Sequence, residues 1–199
     1  GLGSNVIVVK SKSELAVMRE AGRIAAEALA ALRATVKPGV TTAELDAVAR
    51  EIITQRGAKP SFKGYRGFPA SICTSINEQI VHGIPSPKVV LKEGDIISID
   101  VGATFKGYVG DNAITLPVGH VSDAAMRLIE TTQGALMAAI AAAHGGNYLE
   151  DISGAVQDYA EARGYSIVRE YVGHGVGRTM HEDPQIPNYR QGKRGPQLK

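Results

Sequence analysis

The chain has 199 residues, of which 44% are hydrophobic and 21% charged, a balance typical of a folded globular protein. Its net charge of +2 is too small to indicate nucleic acid or an acidic partner. The single cysteine excludes an internal disulfide and fits a reducing compartment. With no visible signal peptide and no apolar run near the roughly 20 residues of a membrane span, we expect a cytoplasmic protein without a membrane segment.

The first part of the chain predicts two helices followed by a loop. A Ser-x-x-Glu capping box at 11–14 begins the first helix, which ends before Pro38-Gly39. A Thr-x-x-Glu box at 41–44 begins the second helix, which runs to Gly57. Residues 58–70 are rich in Gly, Pro and aromatic side chains and are interpreted as a loop. Residues 1–4 resemble a cloning remnant and are left out of the fold prediction.

Strands and two further helices are predicted after this loop. Alternation and turn signals predict short strands, and Gly pairs and single glycines end the helices. The predicted elements are strands at 71–76, 95–103 and 108–116, helices at 122–145 and 149–163, and a strand at 165–172 that leads into glycine-rich residues 173–177.

The order helix, helix, strand occurs twice, which indicates an internal duplication. Several residue pairs recur at one common spacing: Gly39 and Gly146, Arg56-Gly57 and Arg163-Gly164, and Leu91-Lys92 and Leu198-Lys199. The alternative is two unrelated helical pairs packed on one sheet. If the duplication is real, the second half is incomplete, because a strand pair follows residue 92 but the sequence ends at 199.

Two aspartates form the first candidate site. Asp100 and Asp111 lie on consecutive predicted strands, and a turn centred between Phe105 and Lys106 would place them directly opposite each other, within a few ångströms. A slip of the register by two would leave them diagonal on the same face. Because like charges so placed repel, we expect a divalent cation or a shared proton between them. The alternative is two solvated side chains on an exposed sheet face.

Three of the five histidines are candidates for chemistry. His82 lies beside Gly83 and Pro85, and His174 and His181 flank a glycine-rich segment that permits close backbone approach. One imidazole could bind a metal and another could donate a hydrogen bond to a polarised carbonyl. His120 and His144 are expected at the surface, and Cys73 is expected to be a small buried group rather than a nucleophile.

Six short motifs follow one another along the chain. They are Ser75-Ile76-Asn77-Glu78, Val81-His82-Gly83-Ile84-Pro85, Ile99-Asp100-Val101-Gly102, Gly110-Asp111, Gly173-His174-Gly175-Val176-Gly177 and His181-Glu182-Asp183-Pro184. In this order and spacing the sequence resembles type I methionine aminopeptidases over nearly its whole length. The resemblance implies the α+β pita-bread fold, with two pseudo-symmetric αβ halves around an antiparallel sheet and an incomplete second half. It implies one catalytic domain over 5–199, with halves at about 5–121 and 122–199.

The resemblance also implies a role for each matching residue. Asp100 would chelate one metal ion, Asp111 would bridge two, and His174 would bind the other. His82 and His181 would bind substrate and stabilise the developing oxyanion. The methionine side-chain pocket would be lined by Tyr65, Phe68, Cys73 and Met180. The family's two glutamate ligands lie further along its chain than residue 199.

The implied activity is metal-dependent removal of the N-terminal methionine from nascent proteins and peptides. The implied cofactors are two divalent ions (cobalt, manganese, iron or zinc), and the implied partners are nascent N-termini, including those at the ribosome, for a monomer. The alternative is an inactive or truncated pita-bread protein that acts as a binding module. A third hypothesis is another enzyme on this fold, such as a proline-specific peptidase or creatine hydrolase.

Overall fold

The structure of the protein is a computed structural model. This structure describes residues 11–77, 83–143, 145–146, 148–164, 172–175 and 182–187, the last two ranges as backbone only. These residues form two compact units, which divide between Met126 and Arg127.

Two capped helices begin the first unit. Helix α1 spans Lys12–Thr35 and helix α2 spans Thr42–Gln55, each beginning with the predicted capping box. In each box the hydroxyl of Ser11 or Thr41 accepts from the N3 backbone N–H, and the glutamate accepts from the cap residue's own N–H. Both helix starts are therefore fixed by side chains three residues apart, as predicted.

A four-stranded antiparallel sheet follows. Its strands are β1 (Lys59–Pro60), β2 (Ile72–Ile76), β3 (Ile96–Phe105) and β4 (Tyr108–Pro117), with a short 3-10 turn at Tyr65–Gly67. Strand β4 pairs with the whole length of β3, and β1 and β2 follow one another along its other edge. The predicted loop at 58–70 therefore contains one short strand and one turn of helix.

The core lies between the two helices and one face of the sheet. Alternate residues of β3, from Ile97 to Ala103, are buried against apolar residues of α1 and α2 such as Leu32 and Leu45. Helix α1 approaches β4 so closely at Gly110 that a Cβ there would lie 2.3 Å from the backbone of Ala21. The opposite face of the sheet is consequently the one left for polar groups.

The second unit holds most of α3 (Asp123–Ala142), α4 (Leu149–Ala162) and a hairpin of β5 (Val172–Gly175) with β6 (Glu182–Pro187). Both helices match their predictions within a few residues. The glycine-rich segment contributes to β5, with a register shift at His174–Gly175, and β6 was not predicted. Most of the strand predicted at 165–172 lies outside the described residues. In the described part of the chain, no helix is long and apolar enough to cross a membrane.

Candidate metal centre and its apolar wall

The two aspartates share the face of the sheet that points away from the helices. Asp100 lies between Ile99 and Val101, whose side chains are in the core, so its own side chain projects from the opposite face. In the β3–β4 register, Asp100 pairs with Ala113, and Asp111 pairs with Gly102. The carboxylates are therefore diagonal neighbours on one face, and the prediction that they stand directly opposite is wrong.

The turn between β3 and β4 explains this shift of register. Phe105 pairs with Tyr108, so the two-residue turn consists of Lys106 and Gly107. Both have positive φ, 49° and 83°, as the tight hairpin turn of type I′ requires. The turn is therefore centred one residue later than predicted, which moves every pair by two positions and leaves both aspartates on the same face.

Cys73 completes this row of side chains across the sheet. It pairs with Asp100 in the β2–β3 register and is only 7% exposed. Burial, and then the charges of Asp100, Asp111 and Asp46, raise the pKa of the Cys73 thiol to about 12. A pKa this high favours the protonated thiol near neutral pH. The prediction that Cys73 is a small buried group is confirmed by its burial.

The loop after β1 covers the neighbouring part of this face. The Ser61 backbone N–H donates to the carbonyl of Gly102 at 2.9 Å, and the Ser61 hydroxyl lies 2.8 Å from that of Thr104. A Cβ at Gly102 would stand 3.0 Å from the Ser61 Cβ and 3.6 Å from the Phe62 ring. Because Gly102 has no side chain, the loop can cross the sheet at this position, between the two aspartates.

Aromatic side chains from the same loop form an apolar wall. Phe62 and Phe68 are half-buried and pack edge to face, with ring centroids 6.4 Å apart. Tyr65 is half-buried in the 3-10 turn, and the Arg66 guanidinium lies 5.3 Å from its ring centroid. We define the apolar wall as Phe62, Tyr65, Phe68 and Cys73; such rings and a neutral thiol suit an apolar or thioether side chain.

The predicted histidines are only partly within the described structure. His82, His181 and Met180 lie outside the described residues. His174 lies on β5 opposite Gln185, in the second unit, where only the backbone is described. His120 is exposed, as predicted, and His144 lies outside the described residues. Within the described structure, no group of three or more His, Cys, Asp or Glu side chains could hold a metal ion.

The two aspartates nevertheless fit a divalent cation as part of a larger ligand set. They supply hard carboxylate oxygens from adjacent positions on one sheet face, and Asp100 is half-buried. Two negative charges so placed are stabilised by a cation between them. Nothing in the local residue pattern indicates the contacts of Ser61 with Gly102 and Thr104 on this face, or those of Asp46 at the start of β2.

Comparison with known proteins places the chain in a family. Residues 16–199 match the model of metallopeptidase family M24, and the chain belongs to that family. Its relatives include methionine aminopeptidases. The protein of Clostridium acetobutylicum is 52% identical, over 97% of this chain and 77% of its own length. Methionine aminopeptidase 1 of Bacillus subtilis is 53% identical, over 98% of this chain and 78% of its own length.

Solved structures give the same result and show the pita-bread fold. The methionine aminopeptidase of Thermotoga maritima matches with a TM-score of 0.95 and 42% identity, over 98% of this chain and 78% of that one. The prolidase of Pyrococcus furiosus matches with a TM-score of 0.82 but 26% identity, over 96% of this chain and 54% of that one. The chain thus has the family's fold, and its sequence is more similar to the methionine aminopeptidase.

Proposed function

We propose that this chain is a methionyl aminopeptidase, a metal-dependent hydrolase that removes the N-terminal methionine from nascent proteins and peptides. The observation that carries the proposal is the pair Asp100 and Asp111, on one sheet face beside Cys73 and the Phe62 ring. The identity of about half of all residues with methionine aminopeptidases supports it. The lower identity with a prolidase favours it over a proline-specific activity.

The metal site is proposed to contain Asp100, Asp111 and His174. Asp100 would bind one ion, Asp111 would bridge two, and His174 would bind the second. When bound, divalent cations supply Lewis acidity that polarises the scissile carbonyl and activates water. Two ions are proposed, of cobalt, manganese, iron or zinc, since the ligands are oxygen and imidazole donors that suit several divalent metals.

The substrate would be held by groups on either side of this centre. Tyr65, Phe68, Cys73 and Met180 are proposed to enclose the methionine side chain, whose polarizable sulfur suits aromatic and thiol neighbours. His82 and His181 are proposed to bind the first peptide group and to donate hydrogen bonds to its carbonyl oxygen as negative charge develops there. This arrangement would favour a peptide whose first residue is methionine with a free amino group.

The proposed setting is the cytoplasm, with nascent chains as substrates, including those that emerge from the ribosome. A protonated, buried single thiol is compatible with a reducing compartment. A monomer is proposed, with residues 5–199 as one catalytic domain whose halves comprise about residues 5–121 and 122–199.

Metal titration and peptide cleavage test this proposal together. Chelated protein should bind manganese or cobalt in calorimetry and should release methionine from Met-Ala-Ser only after metal is restored. Asp100→Asn should weaken metal binding by more than about tenfold. Loss of a residue that only hydrogen-bonds to a metal ligand already has an effect of about that size. Release of methionine should fall in parallel, because the substituted site no longer retains the ion.

Asp123→Asn is the matched control, since Asp123 is an exposed aspartate in the first turn of α3. It should bind metal and cleave the peptide like the unsubstituted chain. Equal metal affinity in Asp100→Asn would contradict the site. Binding of metal without any methionine release would support the binding-module alternative, and preferential cleavage of an Xaa-Pro dipeptide would support the proline-specific one.

A further inference from the structure

Helix α2 places a carboxylate at the point where strand β2 begins. The Asp46 Oδ1 atom accepts hydrogen bonds from two consecutive backbone N–H groups, those of Ser71 at 2.7 Å and Ile72 at 3.0 Å. Ser71 and Ile72 are both 0% exposed, and Asp46 is half-buried. Buried amides that lose an acceptor carry a desolvation penalty, so this oxygen is a strong restraint on the chain at 71–72.

This restraint acts directly beside the candidate site. Cys73 follows Ile72 and pairs with Asp100 across β2 and β3. The aromatic loop that carries Tyr65 and Phe68 ends at the same place, so both parts of the apolar wall are joined to the two restrained amides. The negative charge of Asp46 also contributes to the raised pKa of the Cys73 thiol, which agrees with its closeness to the wall.

We propose that Asp46 is a positioning residue for the substrate pocket: its carboxylate fixes Ser71 and Ile72 and so holds the apolar wall against the Asp100–Asp111 pair. Asp46 itself lies on the helix side of β2 and acts through the backbone of the strand, without touching the substrate. The identity of the pocket rests on the proposed function, but the restraint on residues 71–73 does not.

Alkylation of Cys73, the only cysteine in the chain, measures this restraint without any need for turnover. In chelated protein, Asp46→Ala should react with iodoacetamide at least about tenfold faster than Asp46→Asn, because only the asparagine retains an oxygen that can accept from both amides. Both variants lose the negative charge, so its effect on the thiol cancels in the comparison. Glu51→Ala removes an exposed carboxylate from the same helix and should react like the unsubstituted protein.

Urea separates local release of β2 from global loss of stability. If Asp46 positions the strand, the faster alkylation of Asp46→Ala should be nearly independent of urea well below the unfolding transition. Acceleration that rises with urea along the global unfolding curve would overturn the proposal, as would equal rates for Asp46→Ala and Asp46→Asn. If Asp46→Ala does not fold, Asp46→Glu replaces it: its charge is kept but its oxygen is displaced, so it should react faster than Asp46→Asn.

Kinetics give a second readout that a purely structural role would not change. Asp46→Ala should raise KM for Met-Ala-Ser and lower the preference for methionine over norleucine at the first position, whereas Asp46→Asn should restore both. A loss of folded molecules alone would lower kcat per total protein and leave KM and preference unchanged, which would overturn the positioning role. An unsubstituted chain that releases no methionine would count against the proposed function, while the alkylation result would still decide the role of Asp46.

Discussion

The pKa of the Cys73 thiol responds to the negative charges of the carboxylates around it. Its pKa of about 12 comes from burial first, and then from the negative charges of Asp100, Asp111 and Asp46. A raised pKa favours the protonated thiol, so the fraction of reactive thiolate is small at neutral pH and grows with pH. In chelated protein, the alkylation rate should therefore keep rising from pH 7 to 10 without a plateau.

Asp111→Asn should shift this profile of alkylation rate against pH to lower pH. Removal of one negative charge makes the thiolate less unfavourable, so the Cys73 pKa should fall and alkylation at any fixed pH should accelerate. Asp111 is exposed and lies on β4, which does not pair with β2, so access of the reagent should change little. A plateau near pH 9 in the unsubstituted protein would show that the Cys73 pKa is not raised. A profile unchanged by Asp111→Asn would show that the charge of Asp111 does not act on the thiol.

Of two glycines where α1 packs on β4, only Gly110 is required by the contact. A Cβ at Gly110 would meet the α1 backbone at 2.3 Å, whereas a Cβ at Gly22 on that helix would have no neighbour within 4 Å. Gly110→Ala should therefore destabilise the protein by about 3 kcal/mol or more, since a backbone cannot yield as a side chain can. Gly22→Ala should stabilise it by up to about 1 kcal/mol through helix propensity.

Urea unfolding of these two variants measures both free energies. Because each substitution adds one methyl group at the same pair of elements, their opposite signs separate steric conflict from helix propensity. Equal and small effects would mean that α1 does not lie against β4 as described. A loss of stability in Gly22→Ala would place an unexpected neighbour beside the helix.

Local signals made much of this fold predictable. The capping boxes at 11–14 and 41–44 act within a single turn of helix, so the sequence contains all that is needed to predict them. The sheet face of Asp100 and Asp111 was also predictable, because side chains alternate between the two faces of a strand and a register shift of two residues leaves each on the same face. The exact pairing was not, because it depended on whether Lys106 adopts positive φ in the turn.

Features that depend on tertiary contacts were not predictable. Asp46 follows a buried leucine on an amphipathic helix, and by pattern alone it is an ordinary polar residue. Its two hydrogen bonds involve a strand about two dozen residues away in sequence. The need for glycine at Gly110 likewise arises from a helix in another part of the chain. Such contacts produce no periodic pattern and no motif in the sequence. They are therefore recognised only in the packed structure.

The two units of the molecule raise the question of whether they unfold together. The main hydrophobic core consists of described residues between Ile24 and Val118, all within the first unit. In the second unit, Ile152 of α4 is 7% exposed and is not part of that core. Since local stability follows buried apolar contacts, we expect amides of α1, α2 and β3 to exchange hydrogen more slowly than those of α3 and α4.

Truncation of one buried side chain in each unit tests this expectation. Leu32→Ala should cost about 2–5 kcal/mol and should speed exchange throughout the first unit, with little effect on α4. Ile152→Ala should speed exchange in α4 and leave the β3 amides nearly unchanged, because substitutions in separate cooperative units act independently. Hydrogen exchange followed by mass spectrometry of peptides resolves the two regions in one experiment. If each substitution instead accelerates both regions equally, the units unfold as one, and the predicted single catalytic domain over 5–199 is also a single cooperative unit.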